Sequence, residues 1–182
     1  MPDMEKSQPL WLGGLEWRCL AEEAGRALYI TKDVVEKRAY HASYSGITWE
    51  GCALRQYLNG EFLRRFSPQE QAAVLETTLT NKDNAQYNTR GGNATKDKIF
   101  LLSVEEAQKY FASDSERVAK FNNSGFWWWL RSPGTTQDDA ARVHNDGTVY
   151  LRSYGVDLYG NLVRLGEGGV RPALWLNREQ NT

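Results

Sequence analysis

Apolar and polar positions change period several times along this chain, and each change predicts an element. Leu15-Glu16-Trp17-Arg18-Cys19-Leu20 alternates in part, the two-residue period of a strand. Gly25 marks a turn, and Arg26–Thr31 reads as the hairpin partner. The period then lengthens. After Thr48, a candidate cap, Ala53, Leu54, Tyr57 and Leu58 share one helical face, and Asn59-Gly60 reads as its stop. Ser67-Pro68-Gln69-Glu70 has capping-box spacing with Pro at the first helical position, and predicts a short helix to about Leu75. Asn81–Thr95 is polar and rich in Gly and Asn, the pattern of a surface loop. Lys98–Leu102 reads as a buried strand running into a second capping box, Ser103–Glu106, and a helix to Phe111. Ser113–Ser124 reads as a loop, and four or five short strands follow to Leu176.

Strand signals at both ends with helices between them predict an α+β fold. It would have small mixed or antiparallel sheets, two or three helices, and termini paired in one sheet. At 182 residues the chain is long enough for one domain, 1–182, with a real core. A net charge of -1 without a basic run removes bulk electrostatic attraction for nucleic acid. No run approaches 18 apolar residues, so no membrane-inserted helix is expected. The first residues lack the apolar run of a signal peptide, so no export signal is visible. That leaves a cytoplasmic protein, one carried on a particle or cell surface, or a segment of something longer. Cys19 and Cys52 fall in a strand pattern and a helix pattern, and are expected as free buried thiols.

The C-terminal third reads as a surface. Arg142-Val143-His144 and Thr148-Val149-Tyr150 flank Asn145-Asp146-Gly147, a three-residue hairpin loop with Gly at the left-handed position. That register pairs Val143 with Val149 on an inward face. It places Arg142, His144, Thr148, Tyr150 and Arg152 outward. Val156, Val163 and Leu165 read as further inward anchors. Tyr154, Asp157, Tyr159, Asn161 and Arg164 read as outward or loop positions, and Asn145 and Asp146 sit in the turn. This mixture of Tyr, Arg, Asn, Asp and Ser is the one binding surfaces favour, because Tyr and Arg give large contacts at modest entropy cost. An ordinary solvated hairpin would also carry some of these residues.

Other constellations read more plainly. In Trp127-Trp128-Trp129, alternate rings face opposite sides of a strand and serve packing, with sugar stacking as the functional alternative. Arg131 and Arg171 stand beside prolines and are expected to pair with buried carboxylates or carbonyls. Asp138, Asp139, Asp146 and Asp157 lack the spacing of a calcium loop, and His41 and His144 lack that of a zinc site. No metal or other cofactor is expected. No Gly-x-Ser-x-Gly, P-loop, Gly-x-Gly-x-x-Gly or His-Glu-x-x-His occurs, so no enzyme is expected either.

One compositional feature sharpens the surface reading. From Asp138 to Gly166 there is no Lys, Glu, Gln, Met or Trp, although the chain holds 8, 14, 8, 2 and 7 of them. At those frequencies a gap of 29 residues has a chance of about one in a thousand, or a few per cent once the choice of window is allowed for. All five missing types are encoded only by codons ending in a purine. The segment therefore looks drawn from pyrimidine-ending codons, as a sequence diversified for binding would be.

Four spaced motifs carry a family resemblance over nearly the whole chain. They are Trp49-Glu50 with Leu54-Arg55-Gln56-Tyr57-Leu58-Asn59, Lys96–Ser103, Trp129-Leu130-Arg131-Ser132-Pro133-Gly134, and Gly169-Val170-Arg171-Pro172-Ala173-Leu174. In this order they resemble an uncharacterised bacterial and phage domain family with a C-type-lectin-like fold, some of whose members are variable proteins of diversity-generating retroelements. In those systems a template repeat is reverse-transcribed and its adenines are randomised into a C-terminal variable repeat. The depleted segment lies where that repeat would fall. The resemblance implies a ligand-binding display protein whose surface from Arg142 to Arg164 recognises a partner on another cell or particle, a protein or else a glycan. The fold alone implies neither sugar nor calcium binding. A fixed carbohydrate- or protein-binding module, and a structural part of a phage or surface assembly in which oligomers form, are the alternatives.

Overall fold

The computed structural model describes residues 9–42, 46–151 and 168–178. The N-terminal third holds strands β1 (Leu10–Leu12), β2 (Leu15–Glu23), β3 (Arg26–Thr31) and β4 (Glu36–Lys37). Then come helices α1 (Ala53–Tyr57) and α2 (Pro68–Ala73), strands β5 (Thr77–Leu79) and β6 (Thr95–Asp97), and helices α3 (Val104–Tyr110) and α4 (Asp114–Arg117). The remaining strands are β7 (Ala119–Phe121), β8 (Ser124–Phe126), β9 (Trp128–Pro133), β10 (Ala140–Val143), β11 (Val149–Tyr150), β12 (Gly169–Val170) and β13 (Ala173–Asn177). The fold is α+β, with several small sheets and few, short helices.

Two sheets organise it. The first has the order β1-β2-β3-β13 and is antiparallel throughout. The β13 strand pairs with β3 from Ala173↔Ile30 to Asn177↔Arg26, so the N-terminal hairpin and the C-terminal strand share one sheet, as expected from the sequence. The second has the order β11-β10-β9-β12-β4 and is mixed, since β12 runs parallel to β9. Trp17, Trp49, Trp128 and Trp129 are fully buried, and Trp128 and Trp129 take opposite faces of the second sheet. Trp129 packs on Tyr40 at 5.5 Å and Trp128 on Phe111 at 6.5 Å between ring centroids. The rings are core, as the alternation predicts.

Both capping boxes form. Ser67 accepts from the Glu70 N–H and Ser103 from the Glu106 N–H, while each Glu side chain accepts from its serine's N–H. The helix expected from Thr48 differs. The Thr48 side chain makes no cap hydrogen bond; a single 3-10 turn, Trp49–Gly51, comes first, and the Cys52 sulfur caps α1 by accepting from the Arg55 N–H at 3.4 Å. Nor does Asn59-Gly60 stop the helix. It continues as a π turn, Leu58–Phe62, and a 3-10 turn, Leu63–Arg65. Asn59 has another task. Its amide donates to the Ile99 carbonyl at 2.8 Å, and its oxygen accepts from the Lys98 and Ile99 N–H groups at 2.9 and 3.1 Å. This explains why Lys98–Leu102, expected as a buried strand, is buried from Ile99 on without being one. Asn59 supplies partners for Lys98 and Ile99, while Phe100 bridges to Ala173 and the Leu102 carbonyl accepts from the Arg131 N–H at 3.0 Å.

One loop expectation holds with buried anchors, and a second is corrected. Within Asn81–Thr95, Asn84 and Thr89 are buried and bridged to each other, and Thr95 opens β6. Their side chains donate to the Gly134 carbonyl, which pins this loop against the end of β9. Ser113–Ser124 contains α4 and the β7–β8 hairpin. Asn122 and Asn123, both with positive φ, form its two-residue turn.

Cys52 and Cys19 are free thiols; Cys52 is buried and Cys19 half-buried. Burial pushes the Cys52 thiol up to about 12 and holds the Tyr40 phenol well above its ordinary value. Both groups are therefore neutral when folded at pH values where an unfolded chain would ionise them. The sign follows: the Cys52 contribution is fully present below about pH 9 and is lost as pH rises toward 12, and the raised Tyr40 phenol acts in the same direction. Urea unfolding from pH 7 to 11 is expected to show falling stability above pH 9. Cys52→Ala should flatten that slope by up to about 1.4 kcal/mol per pH unit, and an unchanged slope would remove Cys52 from the account.

Candidate functional site

The hairpin of β10 and β11 has the register that its sequence predicts: Val143 pairs with Val149 and Arg142 with Tyr150. Its turn closes through the Gly147 N–H to the His144 carbonyl at 3.0 Å and the His144 N–H to the Thr148 carbonyl at 2.8 Å. Gly147 has φ +87, as the loop type requires. It also has no room for a side chain, since a Cβ there would stand 1.7 Å from the Asp114 carbonyl oxygen. The turn is thus seated on α4, and the Arg117 guanidinium holds it by donating to the Gly147 carbonyl at 2.9 Å.

On this seat Asn145 and Asp146 are exposed and His144 and Thr148 half-buried. The Thr148 N–H donates to the Asp146 carboxylate at 2.9 Å and holds it below the usual carboxylate range. Tyr150 is 39% exposed, one of two large apolar side chains among the described residues that are open to solvent. Its ring lies 5.2 Å from that of His144. Val143, on the other face, is fully buried, and Val149 is half-buried against the core.

Arg142 corrects the outward assignment: it is 3% exposed. Its guanidinium lies over the Trp127 and Tyr150 rings, 5.2 and 5.5 Å from their centroids. The reason is the sheet order. Since β10 lies between β9 and β11, Arg142 shares its face with Trp129, directly opposite it. The segment around Tyr40 covers that part of the face, and the Trp129 indole donates to the Arg38 carbonyl at 3.0 Å. Alternation separates two faces correctly but does not say that both are covered. Of the other candidate contacts, Arg152, Tyr154, Asp157, Tyr159, Asn161 and Arg164 lie outside the described residues, as do the anchors Val156, Val163 and Leu165.

Arg131 and Arg171 are buried and hydrogen-bonded, in keeping with their expected structural roles. Arg131 forms a two-pronged pair with Glu106 and donates to the Leu101 carbonyl at 2.9 Å. Arg171 donates to the carbonyls of Thr31, Lys32 and Arg117 at 2.9, 2.9 and 3.0 Å. Among the described residues no three His, Cys, Asp or Glu side chains gather as a metal site would need, and no helix is long and apolar enough to cross a membrane.

The family model of a domain of unknown function, DUF6273, matches residues 24–178. The chain belongs to the DUF6273 family. The match runs from the β2–β3 turn to the residue after β13, and so takes in the hairpin and all of the second sheet. No curated protein matches the chain, and no solved structure matches it. What a DUF6273 domain does must therefore be argued from its own residues.

Proposed function

We propose that this protein is a ligand-binding display protein with a C-type-lectin-like fold, the variable protein of a diversity-generating retroelement. Its C-terminal surface recognises a partner, a protein on another cell or particle. One observation carries the reading. The purine-codon residues vanish between Asp138 and Gly166, and the described parts on either side of this stretch are tied into one sheet. Ala140–Val143 enters it buried in β10, and Gly169–Val170 leaves it buried in β12, with β9 between the two strands. Such an arrangement lets side chains vary while the backbone ends stay fixed, because exposed substitutions cost little stability. The exposed set at the near end is Asn145, Asp146 and Tyr150; Arg142 leaves the contact set and supports the Tyr150 ring from beneath. The shared sheet of N-terminal hairpin and C-terminal strand supports the lectin-like part of the reading.

The test is the source DNA. Sequencing through codons 138–166 and several kilobases on each side is expected to find a near-copy of this stretch beside a reverse-transcriptase gene. The two copies should differ only where the second has adenine. Absence of such a repeat would make the gap coincidental and leave a fixed binding module as the better reading.

A further inference from the structure

Away from the hairpin tip, a cavity of about 540 Å³ opens between the first sheet, β5 and the loop after it, α3 and the end of β9. Its size lies within the roughly 300–1,000 Å³ of small-molecule sites. We propose that it binds a neutral, short saccharide, a site additional to the display surface and meeting its edge at Leu151.

The charges of the wall argue for neutrality. Its cations are Arg26, Lys82 and Arg131, and each already has a carboxylate in the same wall. Arg26 meets Glu23 at 2.7 Å, Lys82 meets Glu105 at 2.9 Å, and Arg131 grips Glu106 with two bonds. A phosphate or carboxylate ligand would meet these carboxylates and compete with them for the same cations. The fourth acid of the wall, Asp83, accepts from the Gly91 N–H at 2.8 Å.

The surfaces argue for hydroxyls around a small apolar floor. The floor is Leu28, Leu79, Phe100 and Trp175, all buried, with the Arg26 guanidinium stacked 4.1 Å from the Trp175 ring. Around it stand Thr78, Thr80 and Gln86, all exposed, together with the ion pairs. A wholly apolar ligand would dry those rim groups without bonding them, which is unfavourable. A sugar ring suits both parts. Its hydroxyls donate to carboxylates and accept from guanidinium, ammonium and amide groups, while its C–H groups meet the small apolar area the floor leaves open.

The full chain should be tested by saturation-transfer NMR against maltotriose, cellotriose, N-acetylated chitotriose and mannotriose, with glucose 6-phosphate as the charged control. At least one neutral trisaccharide is expected to take up saturation in preference to the phosphate. Ala85→Trp, at an exposed position of the rim, should weaken its Kd about tenfold or more. Gln86→Ala, which removes only a rim amide, should weaken it less, and serves as the readout if the Trp variant does not fold. Trp11→Ala, at an exposed ring outside the wall, should leave binding unchanged. The proposal is overturned if no trisaccharide binds, if glucose 6-phosphate outcompetes them, or if folded rim variants bind like the parent. Loss of binding in Trp11→Ala would move the sugar to that exposed ring and also overturn it.

Discussion

Arg171→Met is expected to cost about 3 kcal/mol or more, lowering the melting temperature by roughly 6–12 °C for a domain of this size. The side chain is 1% exposed and bonded to three backbone carbonyls, those of Thr31, Lys32 and Arg117. It therefore ties the end of β3 to the end of α4 and to the link between β12 and β13. Burial, reinforced by the nearby Arg18 cation, pushes its pKa down to about 9, so the guanidinium stays charged at neutral pH. Methionine keeps much of the packing against Trp128 and Phe111 and removes the charge, so part of the desolvation cost is recovered. The orphaned carbonyls are not recovered, and they decide the sign. Arg171→Lys separates fork from charge: an ammonium cannot span three carbonyls in one plane, so it should lose nearly as much. Thermal melts of the two variants decide it, and a lysine variant as stable as the parent would show that charge alone suffices there.

The parts of this fold that were legible in the sequence are those fixed by near neighbours. Ser67–Glu70 and Ser103–Glu106 need only a serine and a glutamate three residues apart, and both boxes formed. The β10–β11 register needed only a turn and two valines. Ser113-Asp114-Ser115-Glu116 carries the same serine-to-glutamate spacing, and Ser113 does accept from the Glu116 N–H, but α4 is one turn long and shows no apolar period to notice. Asn122-Asn123 was likewise a readable two-residue turn.

What the sequence could not supply lies in distant partners. Asn59 looks like a helix stop because asparagine commonly is one, yet here its amide serves backbone 40 residues away. Arg142 looks solvent-facing because its strand alternates, yet the neighbouring strand and the Tyr40 segment cover it. The same limit applies to the candidate sites. The hairpin could be read because it is local. The cavity could not, because its wall joins residues from Glu23 to Trp175.

Val143→Asp and Tyr150→Ala, seven residues apart and on opposite faces of one hairpin, are expected to give opposite results. Val143 is fully buried and stands opposite Trp128 on β9 and Val149 on β11. The cation packed on Trp128, Arg171, already serves three backbone carbonyls, so a carboxylate there would be desolvated without a ready partner, at a cost of several kcal/mol. Set against a net stability of roughly 5–15 kcal/mol, that is enough to abolish cooperative unfolding or leave the chain insoluble. Tyr150→Ala loses an exposed ring and its contacts with Arg142 and His144, about 1 kcal/mol, so its melting temperature should fall only by roughly 2–4 °C. Melting curves of the two purified variants decide the matter. A folded Val143→Asp, or an unfolded Tyr150→Ala, would mean that the faces are exchanged. Tyr150 would then belong to the core, and a surface that varies without loss of fold could not begin at this hairpin.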